Sequence, residues 1–177
     1  MAQPDRPIPP WLKLPRRGVR WARNVRHRGG SSAEMTWGRD LAIGRGAMLH
    51  SPNFFRAGDH VHIGPDFYCE VDVEIGDEVL ISGKVSFVGN DHDVDDSDHS
   101  VFFAPRLPDN TVVLEGDNLI GFGATLVGDV RVGAGAVVGA RSLVSHDLDG
   151  GWIYVGSPAR RLRRRGRGHE AITSLET

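Results

Sequence analysis

The sequence predicts an all-β fold, a parallel β-helix, from a six-residue repeat, glycine-rich corners and the lack of helical spacing. Large aliphatic residues recur every six positions from Ile63, and the repeat returns after an interruption from Leu114. A helix requires apolar residues about every 3.6 positions, and a simple alternating strand does not keep a period of six. Six residues suffice for one short strand and one corner. Three repeats therefore form one coil, and successive coils stack through parallel ladder hydrogen bonds.

Two phases of the repeat are apolar in each block, and we expect both to point into the core. In the first block they are Ile63, Cys69, Ile75, Ile81 and Phe87, with Phe67, Val73, Val79 and Val85 four residues on. In the second block they are Leu114, Ile120, Leu126, Val132, Val138 and Val144, with Ala124, Val130, Ala136, Ser142 and Leu148. Gly, Asp and Asn cluster between these positions, where corners need permissive dihedral angles. Because Cys69 shares the inward phase, we expect a buried thiol and not a nucleophile.

The chain of 177 residues has the size of one domain. We expect an N-terminal arm over 1–41, a β-helix over 42–149 with an excluded loop at 90–111, and an extension over 150–177. Apolar and basic residues alternate within 10–28, which favours a short amphipathic helix in the arm. The loop has no repeat, and a loop of such length in a compact domain is usually functional.

The net charge of −2 hides a segregation of charge along the chain. Residues 1–30 contain eight Lys and Arg, and residues 159–168 contain six Arg, so both ends are basic and the body is acidic. Either these ends are solvated, or they contact a phosphate-bearing ligand or an anionic membrane surface. No nucleic-acid-binding motif accompanies them, so we expect no nucleic acid partner.

A single cysteine, Cys69, excludes an intramolecular disulfide framework. No apolar stretch approaches the roughly 20 residues of a transmembrane helix, and the basic N-terminus lacks the apolar segment of a secretory signal. These features predict a cytoplasmic location.

A metal site is not expected. The run DHDVDDSDH from Asp91 imitates a calcium loop, but its sixth position is Asp96 instead of Gly and its twelfth is Phe102 instead of Glu. The γ-type carbonic anhydrases, which bind zinc on a trimeric β-helix, have two histidines separated by four residues. None of the eight histidines forms such a pair.

Three segments carry a resemblance beyond the bare repeat: GNDHD at Gly89, the hexapeptide run from Gly116 to Leu148, and YVGSPAR at Tyr154. When the hexapeptides are aligned, residues 43–164 resemble the hexapeptide-repeat acyltransferases. This family includes galactoside, maltose and nodulation-type sugar acetyltransferases and xenobiotic acetyltransferases. The resemblance implies a left-handed parallel β-helix and a homotrimer with its sites in the grooves between prisms. It also implies acetyl-CoA as the acyl donor.

The same resemblance implies roles for individual residues near the loop. His92 stands where the family has its general base, and His99 competes for that role within the loop. Glu70 occupies a place that sugar acetyltransferases fill with Asn, so it is a substrate-binding candidate together with Asn90 and Asp93. The ring of His92 could be oriented by a neighbouring Asp or by a backbone carbonyl.

On the donor side, Phe122 and Ala140 are separated by three whole hexapeptides and are expected one above the other along the pantetheine slot. Ser145 and His146 stand where a Thr-Lys pair often meets the nucleotide end. Arg160 and Arg163 match basic positions near the CoA phosphates, which they would bind by charge-assisted hydrogen bonds.

The resemblance implies an acetyl-CoA-dependent O-acetyltransferase that acts on a sugar or glycoconjugate hydroxyl, and the inward phase of Cys69 favours direct transfer in a ternary complex. Two alternatives remain open. One is a catalytically silent β-helix that serves as a scaffold or binding protein. The other is a metalloenzyme like the γ-type carbonic anhydrases.

Overall fold

The computed structural model describes residues 33–166, which form seventeen β-strands and no helix. The strands lie in three sheets that form the faces of a prism. Face A consists of β1 (Glu34–Trp37), β4 (Phe54–Ala57), β7 (Asp72–Ile75), β10 (Thr111–Leu114) and β13 (Val130–Val132). Face B consists of β2 (Ala42–Ile43), β5 (His62–Ile63), β8 (Leu80–Ile81), β11 (Leu119–Ile120), β14 (Val137–Val138), β16 (Trp152–Val155) and β17 (Arg160–Arg164). Face C consists of β3 (Met48–Leu49), β6 (Tyr68–Cys69), β9 (Ser86–Val88), β12 (Thr125–Val127) and β15 (Leu143–Val144).

The chain visits faces A, B and C in turn, and each strand pairs in parallel with the strand one coil earlier. Five complete coils follow one another from β1 to β15, and β16 begins a sixth. The predicted all-β parallel β-helix is confirmed. We call the three corners between faces the AB, BC and CA edges.

The interior is a set of apolar columns. Each residue of the two predicted inward phases is buried, including Ser142 in the smaller-residue phase. Phe67 and Phe87 are fully buried in the core and meet edge to face at 5.0 Å between ring centroids. Burial of each large side chain stabilises the fold by about 1.5–3 kcal/mol, so these columns hold the coils in register.

The corners use left-handed backbone, which permits the tight turn between faces. At the BC edge the stacked residues Gly46, Asp66, Lys84, Gly123 and Arg141 all have positive φ. Each of the last four donates its backbone N–H to a carbonyl of the preceding coil, as Lys84 does to Pro65 at 2.8 Å. The prediction of permissive dihedrals at the corners is therefore correct, although aspartate, lysine and arginine share this task with glycine.

The solenoid extends beyond both boundaries expected from the repeat. At the start, β1 precedes Ala42 and pairs with β4, with Met35 opposite Phe55. In the next coil, Phe55 and its partner Val73 are separated by three whole hexapeptides, whereas the step from Met35 to Phe55 is longer than that by two positions. This insertion shifts the phase, so a search for hexapeptides does not find β1.

At the C-terminal end, β16 continues face B, with Tyr154 opposite Val138, and β17 returns antiparallel along it. Residues 150–164 therefore belong to the prism, contrary to the expectation that the chain leaves it at 150. The step from Val138 to Tyr154 is two positions shorter than three hexapeptides, so the phase is lost again. The expected N-terminal arm before residue 33 and the basic tail beyond 166 lie outside the described residues.

The β16–β17 hairpin closes the end of the core. The guanidinium carbons of Arg161 and Arg164 lie 5.0 and 4.5 Å from the ring centroid of Trp152, which packs against the core. The register shift between Ile153 and Tyr154 brings both arginines to the side of Trp152. Arg163 pairs with Ile153 on the outer side instead. Across 33–166, no helix is long and apolar enough to cross a membrane.

Candidate active site

The excluded loop replaces the CA corner between β9 and β10, and its neck is closed by two asparagines. The backbone N–H of Asn90 donates to Asn110 Oδ1 at 2.9 Å, and the backbone N–H of Asn110 donates to Asn90 Oδ1 at 2.6 Å. Asn90 Nδ2 also donates to the carbonyl of Glu70 at 2.7 Å. Both polar ends of the Asn90 side chain are thus engaged within the chain. The structure gives this predicted substrate-binding residue the task of holding the loop.

His92 lies just inside the neck, on a short antiparallel ribbon. The Asp93 N–H donates to the Pro105 carbonyl at 2.8 Å, and the Leu107 N–H donates to the Asp91 carbonyl at 2.9 Å. His92 Nδ1 is 2.5 Å from the Ala104 carbonyl oxygen. Because a carbonyl only accepts, Nδ1 carries the proton and Nε2 of the neutral ring keeps its lone pair. A backbone carbonyl, and not a neighbouring aspartate, therefore orients the half-buried ring.

Two aspartates and one further histidine of the loop form local hydrogen bonds near its tip. Asp93 Oδ1 accepts the backbone N–H of Asp95 at 3.0 Å. His99 is exposed, and its Nδ1 lies 2.9 Å from Asp96 Oδ2. The side-chain hydrogen bond to His99 lowers the pKa of Asp96. These contacts fold the tip of the loop upon itself and leave His92 as the histidine at its root.

Glu70 sits at the CA edge one coil before the loop. Its Oε2 accepts the Tyr68 hydroxyl at 2.7 Å, and its Oε1 accepts the Gly89 N–H at 3.3 Å. The hydrogen bond to Glu70, with burial, raises the pKa of Tyr68. The predicted substrate-binding carboxylate is therefore fixed against the root of the loop that contains His92.

Phe122 and Ala140 lie on the BC edge, one above the other. Leu119 and Val137, three positions before each of them, are ladder partners in successive coils, as the hexapeptide spacing predicts. Arg160 pairs with Val155, the last residue of β16 before this edge. Phe122, Ala140 and Arg160 lie at the surface and form one line along the prism. Arg163 pairs with Ile153 on the outward side of face B, next to this line of residues.

Ser145 and His146 follow β15 and occupy the CA edge instead, where both are exposed. The predicted site residues thus divide into two groups. Glu70, the loop with His92, Ser145 and His146 belong to the CA edge, and Phe122, Ala140 and Arg160 belong to the BC edge. Face C lies between the two groups, and one coil side of about six residues spans up to ~20 Å.

The two edges also differ in charge. Acidic residues occupy the CA edge and its loop: Glu70, Asp91, Asp93, Asp95, Asp96, Asp98, Asp109, Asp129 and Asp147. The BC edge presents four cations at the surface, Arg45, Lys84, Arg141 and Arg160, with Asp66 as its acidic residue. Over residues 33–166, none of these cations has a carboxylate within 4.0 Å. A basic edge and an acidic edge therefore flank face C.

Sequence reasoning missed Tyr68, Lys84 and Arg141. The last two share the fourth position of their hexapeptides, ISGKVS and VGARSL. That position is a corner, so a long cation there must point outward. A search of corner positions for charge would have found both.

Cys69 is buried, as predicted, and burial raises the pKa of its thiol to about 11. Its Sγ lies 3.2 Å from the Val71 carbonyl oxygen. A neutral buried thiol is not a nucleophile at physiological pH. Within residues 33–166, no group of three or more His, Cys, Asp or Glu side chains is arranged to hold a metal ion.

No model of a protein family matches the chain. Among curated proteins, galactoside O-acetyltransferase of Escherichia coli K12 is 27% identical over 129 residues, 68% of this chain. The alignment spans 62% of that enzyme's length.

Two solved structures share the fold. A hexapeptide-repeat acetyltransferase of Vibrio cholerae, complexed with acetyl coenzyme A, superposes with a TM-score of 0.69 at 24% identity, over 84% of this chain and 77% of that one. A variant of AntD, an N-acyltransferase of Bacillus cereus in complex with dTDP and coenzyme A, gives 0.63 at 25% identity, over 81% and 82%. In sequence and in fold, the chain is therefore similar to the hexapeptide-repeat acyltransferases.

Proposed function

We propose that this chain is an acetyl-CoA-dependent O-acetyltransferase whose acceptor is a hydroxyl of a sugar or glycoconjugate. One observation carries the proposal: the bond between His92 Nδ1 and the Ala104 carbonyl leaves Nε2 free to act as a base at the root of an excluded loop. The similarity to acyltransferases supplies the reaction class.

In this mechanism, His92 Nε2 takes the proton of the acceptor hydroxyl while the acceptor oxygen attacks the acetyl carbonyl. The Ala104 carbonyl keeps its hydrogen bond to Nδ1–H throughout and stabilises the imidazolium. His92 then returns the proton to the departing sulfur. A general base of this kind contributes about 10²–10⁴-fold to the rate. Because Cys69 is buried and protonated, direct transfer in a ternary complex is favoured over an acyl-enzyme.

Donor binding is assigned to the BC edge. Phe122 and Ala140 would flank the pantetheine arm, and Arg160 and Arg163 would bind the phosphates by charge-assisted hydrogen bonds. The register supports a single line for Phe122, Ala140 and Arg160. Ser145 and His146 lie on the other edge, so they would contact a donor bound to a neighbouring copy.

The proposal includes a homotrimer, because one copy holds its base and its donor line on different edges. If three copies surround an axis along face C, the acidic CA edge of each meets the basic BC edge of the next. Such a heterologous contact closes into a ring. The outward residues of face C contain no charge, which suits the axis: Met48, Tyr68, Ser86, Val88, Thr125, Val127 and Leu143.

The acceptor would lie at the CA edge, where Glu70 and Asp93 can accept hydrogen bonds from sugar hydroxyls. An amine acceptor is a second candidate, favoured by the excess of carboxylates at this edge and by the N-acyltransferase activity of AntD. A cytoplasmic location also belongs to the proposal, because the single cysteine is a buried free thiol.

The test is an acceptor screen that follows release of the CoA thiol from acetyl-CoA. Each hydroxyl acceptor, such as a methyl glycoside, is paired with its amino-sugar counterpart. Faster turnover of the hydroxyl member supports O-acetylation, and faster turnover of the amine moves the proposal to the second candidate. If no member of the panel releases thiol, the chain is a silent scaffold and the proposal is wrong.

A further inference from the structure

Lys84 is a cation that the fold does not require. It occupies a left-handed corner with φ of 57°, where the stacked positions are glycine at 46 and 123, aspartate at 66 and arginine at 141. Glycine and asparagine adopt this conformation more readily than lysine does. The side chain is exposed and has no carboxylate within 4.0 Å across residues 33–166. A long cation at a left-handed corner with no carboxylate partner points to a ligand.

The ammonium of Lys84 is directed along the BC edge. Its Nζ lies 6.0 Å from the ring centroid of Phe122, which belongs to the next coil. Lys84 therefore stands at the lower end of the line formed by Phe122, Ala140 and Arg160. Four strand spacings separate β8 from β17 along face B, or ~19 Å at about 4.8 Å each. With the phosphates at Arg160, the opposite end of an extended donor falls near Lys84.

Lys84 also lies in the same coil as the root of the catalytic loop. It stands between β8 and β9, and the loop leaves directly after β9. In a ring of copies with parallel prism axes, residues of the same coil lie at the same height. The BC edge of one copy then places Lys84 level with the loop root of its neighbour.

We propose that Lys84 of one copy completes the site that contains His92 of the next copy, with its ammonium at the acyl end of the donor. This inference rests on the proposed acetyl transfer and on the trimer. As the acceptor oxygen bonds to the carbonyl carbon, His92 takes the hydroxyl proton and the carbonyl oxygen becomes negative. Lys84 donates a hydrogen bond to that oxygen and keeps its own proton. The carbon–sulfur bond then breaks, the carbonyl reforms, and His92 protonates the thiolate.

The first test is Lys84→Asn, which removes the charge and suits the left-handed corner. We expect kcat with acetyl-CoA to fall about 10–100-fold, near the low end for loss of an oxyanion donor. The acceptor KM should change little, because the contact develops in the transition state. The acceptor is the methyl glycoside that the wild-type protein turns over fastest. Lys84→Arg should restore most of the rate. Arg56→Ala removes an exposed cation of face A, which is paired with Glu34, and should have no effect.

The second test mixes copies. Equal amounts of the His92→Ala and Lys84→Asn chains are unfolded together and refolded. If each site takes His92 from one copy and Lys84 from the next, about one quarter of the sites are intact and about one quarter of the wild-type rate returns. If both residues act within one copy, no site is intact and the mixture stays as slow as its components. The latter result overturns the proposal.

The outcomes separate the two levels of inference. A wild-type protein that acetylates no acceptor ends the proposed function itself. An active protein whose Lys84→Asn variant keeps full kcat contradicts the role of Lys84 alone. Thermal melting of each variant checks the fold, and the exposed corner position predicts no loss of stability for Lys84→Asn.

Discussion

Asn90 and Asn110 each accept the backbone N–H of the other, at 2.6 and 2.9 Å, so the excluded loop leaves and returns through a closed neck. Asn110 Nδ2 also donates to Asp129 at 3.2 Å, which ties the neck to the next coil. The position of His92 therefore depends on the side-chain amides of Asn90 and Asn110. Substitution of Asn110 can open the neck without changing His92.

Asn110→Ala should loosen the loop. It removes the acceptor for the Asn90 N–H, a half-buried group, and should lower the free energy of unfolding by about 1–2 kcal/mol. Proteolysis within 89–110 should become faster, and kcat should fall more than the KM for acetyl-CoA rises. Urea unfolding and limited proteolysis measure the two effects. Ser97→Ala, at the exposed loop tip, is the control. Unchanged proteolysis in Asn110→Ala contradicts the closed neck.

His92→Ala should lower kcat by about 10²–10⁴-fold and leave the affinity for acetyl-CoA nearly unchanged, because in the proposed mechanism the imidazole acts on the acceptor hydroxyl. Steady-state kinetics and a direct acetyl-CoA titration measure both quantities. His99→Ala serves as the matched control, since that ring bonds Asp96 at the loop tip. Full activity in His92→Ala with loss in His99→Ala moves the base to His99.

The prism could be predicted because burial enforces the repeat. Ile63, Ile81 and Ile120 must stack in one column for parallel ladders to form, so the period appears directly in the sequence. Strand β1 and the C-terminal hairpin were not predicted because their steps, from Met35 to Phe55 and from Val138 to Tyr154, are not three whole hexapeptides. Insertions and deletions at the corners leave the strands stacked but change the phase of the hexapeptide repeat in the sequence.

The candidate site was less accessible to sequence reasoning. The position of His92 could be identified from the break in the repeat, but the carbonyl that orients it comes from Ala104, at the far side of the loop. No residue pattern marks a backbone acceptor. Ser145 and His146 were grouped with Phe122 by resemblance, whereas the register places them on different edges. Which residues share an edge follows only from the strand topology.

Replacing both Arg160 and Arg163 by Ala should raise the KM for acetyl-CoA and change acceptor affinity little. A sheltered charged contact contributes on the order of 1.5–3 kcal/mol and an exposed one less, so an effect beyond tenfold places the pair in the groove. The effect should shrink as salt rises. Arg56→Ala, paired with Glu34 on face A, is the control.

Acetyl-pantetheine lacks the nucleotide phosphates. It therefore distinguishes the loss of contacts to those phosphates from a change in the shape of the donor site. The double variant should use it as well as the wild-type protein does. An unaltered KM for acetyl-CoA at low salt excludes these arginines from the donor site.

The buried thiol of Cys69 predicts a loss of stability in alkali. Its pKa is raised from 9.0 to about 11, so folding favours the protonated form. A raised folded-state pKa contributes stability that is fully present below pH 9 and is lost as pH rises toward 11. Urea unfolding at several pH values should show a shallower decline over this window in Cys69→Ala than in the wild type. Tyr68 and Tyr154 also have raised pKa values and should cause the decline that remains. Equal slopes would contradict the assignment to Cys69.

The wild-type protein should be a trimer in solution, with three times the chain mass of 19.3 kDa by light scattering. Thr125→Glu places a charge on face C, one strand from its centre, where three copies would bring three like charges together around the axis. We expect this variant to be monomeric and inactive, because His92 and the BC edge then no longer meet. Val113→Glu is the matched control: Val113 is a half-buried, outward-facing residue of β10 on face A, which carries Arg56 and Glu74 nearby. It should remain trimeric and active. If the wild-type protein is a monomer in an active preparation, both the trimer and the site shared between copies are wrong.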